Sequence, residues 1–477
     1  MAAEFLRGHG IDLDAELAAM QSGDVGNLPS KTVTISNASL PNTEAGTTWT
    51  IILSPEDGKV SDVRPSQSHR AARSPGTIDV QSALVAPSPC HPHIHLDKAF
   101  LLSHPSHSHL RIKKGDFGEA MSLTGKAKGN FTQEDLLERG RRVIDESVAA
   151  GVTHMRAFVE LDAGVGRRCL DAGLQLKKEA DGRCTLQICA FAQLPLFTAS
   201  KGDEDGSVIR GLMEDAAKDP DVEALGSTPY VEDSRERMQS NVVWLVDLAI
   251  GHKKHVDFHL DYNLDNGTEP LVWHVVETLK QKAWTSSNPN RTIVLGHCTR
   301  LTIFQNHEWK RLKSDIADLP ISFVGLPTSD LFMMRTREQP EIRGTLDVPR
   351  LIKDYGLNAC IGINNIGNAF TPQGSCDPLT LACNGVGIYQ AGTEADAQLL
   401  YECVSTRARE AIGFGRTTKD GEKADVGLNV KDGDDANLIV FGAEKEDWRT
   451  RKTIAEAVYL YDGGRGRRSI FRGRAVD

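Results

Sequence analysis

The chain has 477 residues, 40% hydrophobic and 25% charged, with 43 Gly and 20 Pro; this is ordinary globular usage and excludes a disordered or collagen-like chain. Sixty-five acidic against 55 basic side chains leave a formal charge of −10, so capture of polyanions by bulk charge has no support and nucleic acid is not an expected partner, while a local basic patch stays compatible. No run reaches the roughly 18 to 20 apolar residues that span a bilayer, and nine Cys without CxxC spacing, behind a start that lacks a signal-peptide pattern, point to reduced thiols in the cytoplasm.

Residues 1–29 mix short helical patterns such as LDAELAAM with Gly and Asn turns and read as an N-terminal extension. Val, Ile, Thr and Trp content predicts strands over 32–40 (TVTISNASL) and 49–53 (WTIIL), followed by a Ser/Pro/Arg-rich connector over 54–77. From about residue 84, short β-branched strands alternate with helical stretches. The predicted strands are 84–86, 152–159, 186–191, 223–228, 255–260, 291–296, 321–326 and 358–363. Between them, Thr132 with Asp135 makes a capping box before DLLERGRRVIDESVAAG, and Pro270 precedes LVWHVVETLKQKA.

Eight strand–helix units with no Gly-rich phosphate loop after the first strand predict an α/β fold closed as a (β/α)8 TIM-like barrel, in preference to an open dinucleotide-binding sheet. After residue 415 the rhythm changes, and 435–443 (DANLIVFGA) and 467–473 (RRSIFRG) predict strands able to pair with the N-terminal ones. The predicted organisation is therefore an extension over 1–29, a small β-sandwich domain from both chain ends over 30–83 and 416–477, and a barrel over 84–415.

Histidine is unevenly placed: six of the 15, His91, His93, His95, His104, His107 and His109, fall within nineteen residues. In CHPHIHLDKAF (90–100), His93 and His95 are two apart, so on an extended backbone they leave one face and can reach one ion. Neutral imidazole suits zinc, iron and other borderline divalent metals. A His-x-His pair alone is weak evidence, but His259 ends the fifth predicted strand (VDFHLDYNLD) and His297 the sixth (TIVLGHCTR), at the strand edge where barrel sites assemble. His104, His107 and His109, in SHPSHSH, read as a solvated loop, and His154 reads as core. Arg156 and Glu160 share one strand face as a structural pair at the pocket edge, and Asp330, Arg335 and Arg337 are placed to line the mouth. Cys298 beside His297 lacks a third orienting group for Cys–His chemistry.

The segments PHIHLDKAF at 92–100, FAQ at 191–193, FHLDYNLD at 258–265, GHC at 296–298 and ACIGINNIGNAFTPQGSCDPL at 359–379 resemble the amidohydrolase superfamily and, within it, the cytosine deaminase and N-isopropylammelide hydrolase group, over roughly residues 30–460. The resemblance implies a distorted barrel with a β-sandwich from both ends, and one divalent metal ion, zinc or iron with manganese also compatible. It assigns His93, His95 and His259 to the metal, His297 to orienting water or polarising substrate, and Gln193 to reading a ring amide. Two positions depart from the pattern: Asn364, followed by Asn365, replaces the strand-eight aspartate, and Tyr262 replaces the glutamate three residues beyond His259.

A neutral carboxamide cannot act as a base near neutral pH, although its oxygen can ligate a metal or hold a water. Asn364 is therefore grouped with Gln193 and Lys98 as substrate-binding, and His297 with Tyr262 as the catalytic pair. Lys98 has two readings, a partner for an anionic substrate group or half of a salt bridge. Three sources of proton transfer stay open: His297 aided by Tyr262, a carboxylate from Asp261, Asp265 or Asp377, or none in a chain that binds without hydrolysis. The expected function is metal-dependent hydrolysis of a non-peptide C–N bond in a small cyclic amide, amidine or aminated heterocycle by metal-activated water. A catalytically silent ligand-binding relative and a metal-assisted lyase or decarboxylase are the alternatives. The partner is a small molecule, with neither nucleic acid nor membrane, and a homo-oligomer is compatible with the chain.

Overall fold

Both ends of the chain supply short apolar strands that cannot bury two faces alone, and they stack on each other. The computed structural model describes residues 33–66, 76–336, 339–415, 426–442, 448–463 and 466–476, so the extension at 1–29 and Arg337 lie outside the described residues. Strands β1 (Val33–Ala38), β2 (Trp49–Ser54), β3 (Lys59–Pro65) and β4 (Thr77–Asp79) form a sheet in the order β3-β2-β1-β4. Strand β3 falls inside the expected connector; Val60 is its buried anchor, and its other residues are half-buried or exposed.

The second sheet is β16-β15-β14-β5, and it corrects the expected start of the barrel. Residues 84–86 do not open the barrel: β5 (Val85–Pro87) pairs antiparallel with β14 (Leu438–Phe441), which is followed by β15 (Arg467–Phe471) and β16 (Arg474–Val476). Val85 enters the sandwich core with Ile35, Ile51, Leu438 and Ile470, while Leu84 and Ala86 face the core of the barrel. A run buried on both faces carries no signal of which sheet it joins. The C-terminal strands pair among themselves and with β5, and meet the N-terminal sheet chiefly by packing.

The barrel strands are β6 (Cys90–His95), β7 (His154–Glu160), β8 (Thr185–Ala192), β9 (Val222–Ser227), β10 (His255–Leu260), β11 (Ile293–His297), β12 (Ile321–Gly325) and β13 (Ala359–Ile361), each parallel to the next. The ends meet at an isolated bridge between Ile94 and Asn364, where Asn364 N–H donates to His93 O at 3.0 Å and His95 N–H to Asn364 O at 2.9 Å. This is the TIM-like barrel with a β-sandwich that the strand rhythm predicts. Helix α1 (Phe117–Lys128) lies by the mouth, and α2 (Gln133–Ala149) packs outside β6 and β7. Thr132 caps α2 by accepting from Asp135 N–H at 3.1 Å. Buried Val143, Ile144 and Val148 hold α2 to the core, each contributing about 1.5–3 kcal/mol.

A β-bulge between His91 and Ile94 breaks the register of β6 against β7. His91 has the same parity as His93 and His95, yet its Nε2 meets Ser147 Oγ on α2 at 3.0 Å and Cys376 O at 3.1 Å. The bulge thus removes one histidine from the cluster and leaves two facing the barrel interior. Among the described residues no helix is long and apolar enough to cross a membrane.

Candidate functional site

His93 and His95 leave the same face of β6, and His259 reaches them from the end of β10. Nε2 of His259 lies 3.1 Å from Nε2 of His93 and 3.1 Å from Nε2 of His95. All three rings are buried, and burial, followed by the charges of neighbouring groups, holds each well below the usual imidazole range, so they are neutral. Their Nδ1 atoms are buried with no hydrogen-bond partner. Three neutral rings whose lone-pair edges converge cannot all be satisfied by the protons they own, whereas one cation between them would satisfy all three. Nitrogen ligands about 2.0–2.1 Å from one ion stand about 2.9–3.4 Å apart, which the observed separations fit. Gly296, level with His259 on the neighbouring strand β11, leaves space for the His93 ring; a Cβ there would stand 3.3 Å from His93 Cε1.

Asp257 stands behind this group. Its Oδ1 has no hydrogen-bond partner and faces the equally unpartnered His93 Nδ1 at 3.8 Å, while its Oδ2 accepts from buried Arg156 at 2.9 Å. Burial pushes the Asp257 carboxyl up to about 7, against the pull of Arg156. Arg156 therefore pairs with Asp257 and Gln187, not with Glu160 as its strand face suggests. The sequence did carry a signal for Asp257, which shares strand parity with His259.

His297 ends β11 in the left-handed conformation (φ 65°), as does Cys298 (φ 50°). Its ring centroid is 5.1 Å from that of His259 and 4.2 Å from that of Tyr262. His297 Nδ1 lies 2.7 Å from Asp330 Oδ1, and Asp330 is fully buried behind the histidine instead of lining the mouth. Burial, and then the charge of Asp330, raises the Tyr262 hydroxyl well above its usual range, so it stays protonated as a donor. Cys298 is likewise raised by burial, which makes its thiol inert.

Asn364 stands beside His93 but has other partners: Nδ2 donates to Ser329 Oγ at 2.9 Å, and Oδ1 accepts from Asn365 Nδ2 at 3.1 Å. The carboxylates that could have entered from loops are engaged elsewhere. Asp261 caps the helix after β10 through Leu271 N–H (2.7 Å) and Val272 N–H (3.1 Å). Asp265 is exposed and accepts from Gly267 N–H, and Asp377 is paired with Arg467 at 2.7 Å. Among the described residues, no carboxylate joins the three-histidine group.

Lys98 and Gln193 are brought together with groups the sequence did not connect to them. Lys98 Nζ donates to Gln193 Oε1 at 2.8 Å and lies 2.5 Å from Glu160 Oε1; Lys128, on α1, takes Glu160 Oε2 and lies 3.0 Å from Asp162 Oδ2. Lys98 and Glu160 are almost wholly buried, so each lysine charge is balanced inside the protein. Burial, and then the charge of Glu160, raises the Asp97 carboxyl to about 6. Tyr230, which the sequence did not single out, places its hydroxyl by Gln193, and Phe117, Tyr230, Tyr262 and Phe370 form a chain of ring contacts 5.8–6.5 Å apart. Arg335 is exposed beside Glu341 and does not reach this group.

His104 and His107 form a second cluster with Asp135, and His107 is buried, contrary to the expected solvated loop. Asp135 is held bidentately by Arg139 at 2.9 Å and 2.9 Å, and His107 Nε2 lies 3.3 Å from its Oδ2. His104 Nδ1 accepts from Ser106 N–H at 3.3 Å. Arg139 also donates to Asp97 O and Ala99 O, tying the cluster to the loop after β6.

No family model matches the chain. It is 24% identical over 378 residues to N-isopropylammelide isopropyl amidohydrolase of Pseudomonas sp. (strain ADP), covering 78% of this chain and 83% of that protein. It is similar to the crystal structure of 5-methylcytosine deaminase from Klebsiella pneumoniae liganded with phosphonocytosine, at TM-score 0.77 and 24% identity, over 93% of this chain and 98% of that one. It is also similar to an adenosine deaminase from Xanthomonas campestris with bound zinc, at TM-score 0.63 and 15% identity, over 94% and 93% of the two chains. The resemblance read from PHIHLDKAF and FHLDYNLD is thus met by relatives of the same kind, and what they share with this chain is the fold.

Proposed function

We propose that this barrel, built as those of the amidohydrolase superfamily are, is a metal-dependent hydrolase of a non-peptide C–N bond in a small cyclic amide, amidine or aminated heterocycle. The observation that carries this reading is the convergence of three buried, neutral imidazoles on the C-terminal edge of the barrel, His259 Nε2 lying 3.1 Å from Nε2 of both His93 and His95, with a fourth histidine and a tyrosine beside them. His93, His95 and His259 would hold one divalent ion, zinc or iron, with manganese also compatible with the donor set. When bound, such an ion supplies a Lewis acid and lowers the pKa of a water toward neutrality.

The protein's own groups supply the rest. His297 takes a proton from the attacking water and passes it to the leaving nitrogen, a role the departures at 262 and 364 leave to it. Tyr262, kept protonated by burial, donates a hydrogen bond over the reacting group. Because ammonium can only donate, Lys98 takes the oxygen side of the Gln193 amide and turns the NH2 side toward the Tyr230 hydroxyl, its second N–H remaining for the ligand. Gln193 and Lys98 thus favour a ring edge with an acceptor atom, Asn364 borders the pocket beside His93, and the aromatic side chains favour a planar ligand. The free state of all nine cysteines is consistent with a cytoplasmic enzyme.

Metal analysis of protein purified without chelator, followed by assays of 5-methylcytosine, N-isopropylammelide and related heterocycles with zinc, iron or manganese restored, tests the proposal. Bound metal and metal-dependent release of ammonia or an amine are expected; the absence of both would sink it. A second reading, a ligand-binding relative without turnover, is favoured by the lack, among the described residues, of a carboxylate in the three-histidine group. Tight binding of a heterocycle without product over hours would select it.

A further inference from the structure

Asp330 lies in the short helix Pro327–Met333 after β12, across the barrel edge from the strand that carries His297. Its carboxylate is a built-in group, fully buried, with Oδ2 facing Leu326 N–H at 3.3 Å and Thr345 Oγ1 at 3.3 Å and Oδ1 facing His297 Nδ1 at 2.7 Å. An ionised carboxylate only accepts hydrogen bonds, so the proton of a neutral His297 sits on Nδ1 and its Nε2 carries the lone pair. No described residue hydrogen-bonds that Nε2. The backbone is held in place as well: His297 and Cys298 are both at positive φ, a conformation disfavoured for non-glycine residues that persists where the surroundings demand it.

We propose that Asp330 is a positioning residue that fixes His297 in its Nδ1–H tautomer with Nε2 presented to the reacting group, so that a carboxylate held behind the histidine stands in for those replaced by Tyr262 and Asn364. This rests on the reading of His297 as the base. During hydrolysis the carbon–oxygen bond forms as one water proton moves to His297 Nε2. The carbon–nitrogen bond then breaks as that proton passes to the leaving nitrogen, and His297 returns to its starting form. Asp330 keeps its charge throughout, stabilising the transient imidazolium through Nδ1–H.

Two measurements test the assignment. In protein labelled with 15N-histidine, long-range 1H–15N spectra of the wild type report His297 protonated at Nδ1, and Asp330→Asn shifts this resonance toward the other tautomer; His297→Gln identifies the signal. With a heterocycle that the wild type hydrolyses, Asp330→Asn lowers kcat by on the order of 10⁴-fold while KM changes less than about threefold, a split that general loss of structure would not produce. A wild-type His297 protonated at Nε2, or an Asp330→Asn variant with unchanged tautomer and kcat, would overturn the proposal. If the wild type hydrolyses no heterocycle, the proposed function falls, while the spectra still decide whether Asp330 sets the tautomer.

Discussion

Two clusters drawn largely from one stretch of the chain differ in what stands between their atoms. At His93, His95 and His259, the His259 Nε2 stands 3.1 Å from Nε2 of each of the other two rings, and the outer Nδ1 atoms are unpartnered. At His104, His107 and Asp135, the carboxylate is taken up by both arms of Arg139 and by His107, and His104 accepts a backbone N–H. Histidines at ligand spacing are common to both, and only the second includes a carboxylate. The first has lone pairs waiting for a cation, whereas the second already contains its cation, the Arg139 guanidinium. A metal entering the second cluster would displace hydrogen bonds and meet a fixed positive charge, so its role is to pin the loop after β6.

Removing one member of the first cluster is expected to have the largest effect. His259→Ala takes bound metal from about one equivalent to none and lowers hydrolysis by at least about 10³-fold, with circular dichroism unchanged. Retention of a full metal equivalent would transfer the metal to the second cluster and break the contrast. Next in size, Asp135→Asn leaves metal content unchanged but lowers the unfolding free energy in denaturant titrations by about 3 kcal/mol, because Arg139 is left buried without its counter-charge. Asn364→Asp places a carboxylate beside His93, and competition with a chelator is expected to show zinc held on the order of tenfold more tightly.

The smallest expected effect concerns pH. Burial, offset by Asp135, lowers the His107 pKa below its usual value. The unfolded chain therefore takes up a proton below about pH 6.5 that the folded one resists, and stability falls as pH drops through that region. His107→Gln flattens this part of the stability profile measured by thermal unfolding; an unchanged slope would show that His107 does not set it.

Much of the architecture was legible because barrel strands must be apolar on both faces. The predicted runs at 152–159, 186–191, 223–228, 255–260, 291–296 and 321–326 lie within two residues of the strands that form. The first strand was misplaced, since Val85 and its neighbours satisfy the same burial pattern in another sheet. In the site, His93, His95, His259 and His297 were found from strand ends and parity. Lys128 escaped notice, and Glu160 was given Arg156 as its partner, because a buried ion pair spanning 32 positions leaves no mark in spacing; Tyr230 escaped because it follows its strand in a single 3-10 turn.

Periodicity, residue type and strand-end placement thus determined by themselves that an acidic α/β chain closes a barrel and carries histidines at its C-terminal edge, since these depend on local burial and alternation. Only the tertiary structure decided which polar groups are satisfied. It turned His91 outward through a bulge, closed His107 and Asp135 around Arg139, and set Asp330 behind His297. The reason is physical: the charge and protonation of a buried side chain follow from the partner within about 3 Å, and that partner comes from a distant strand or loop.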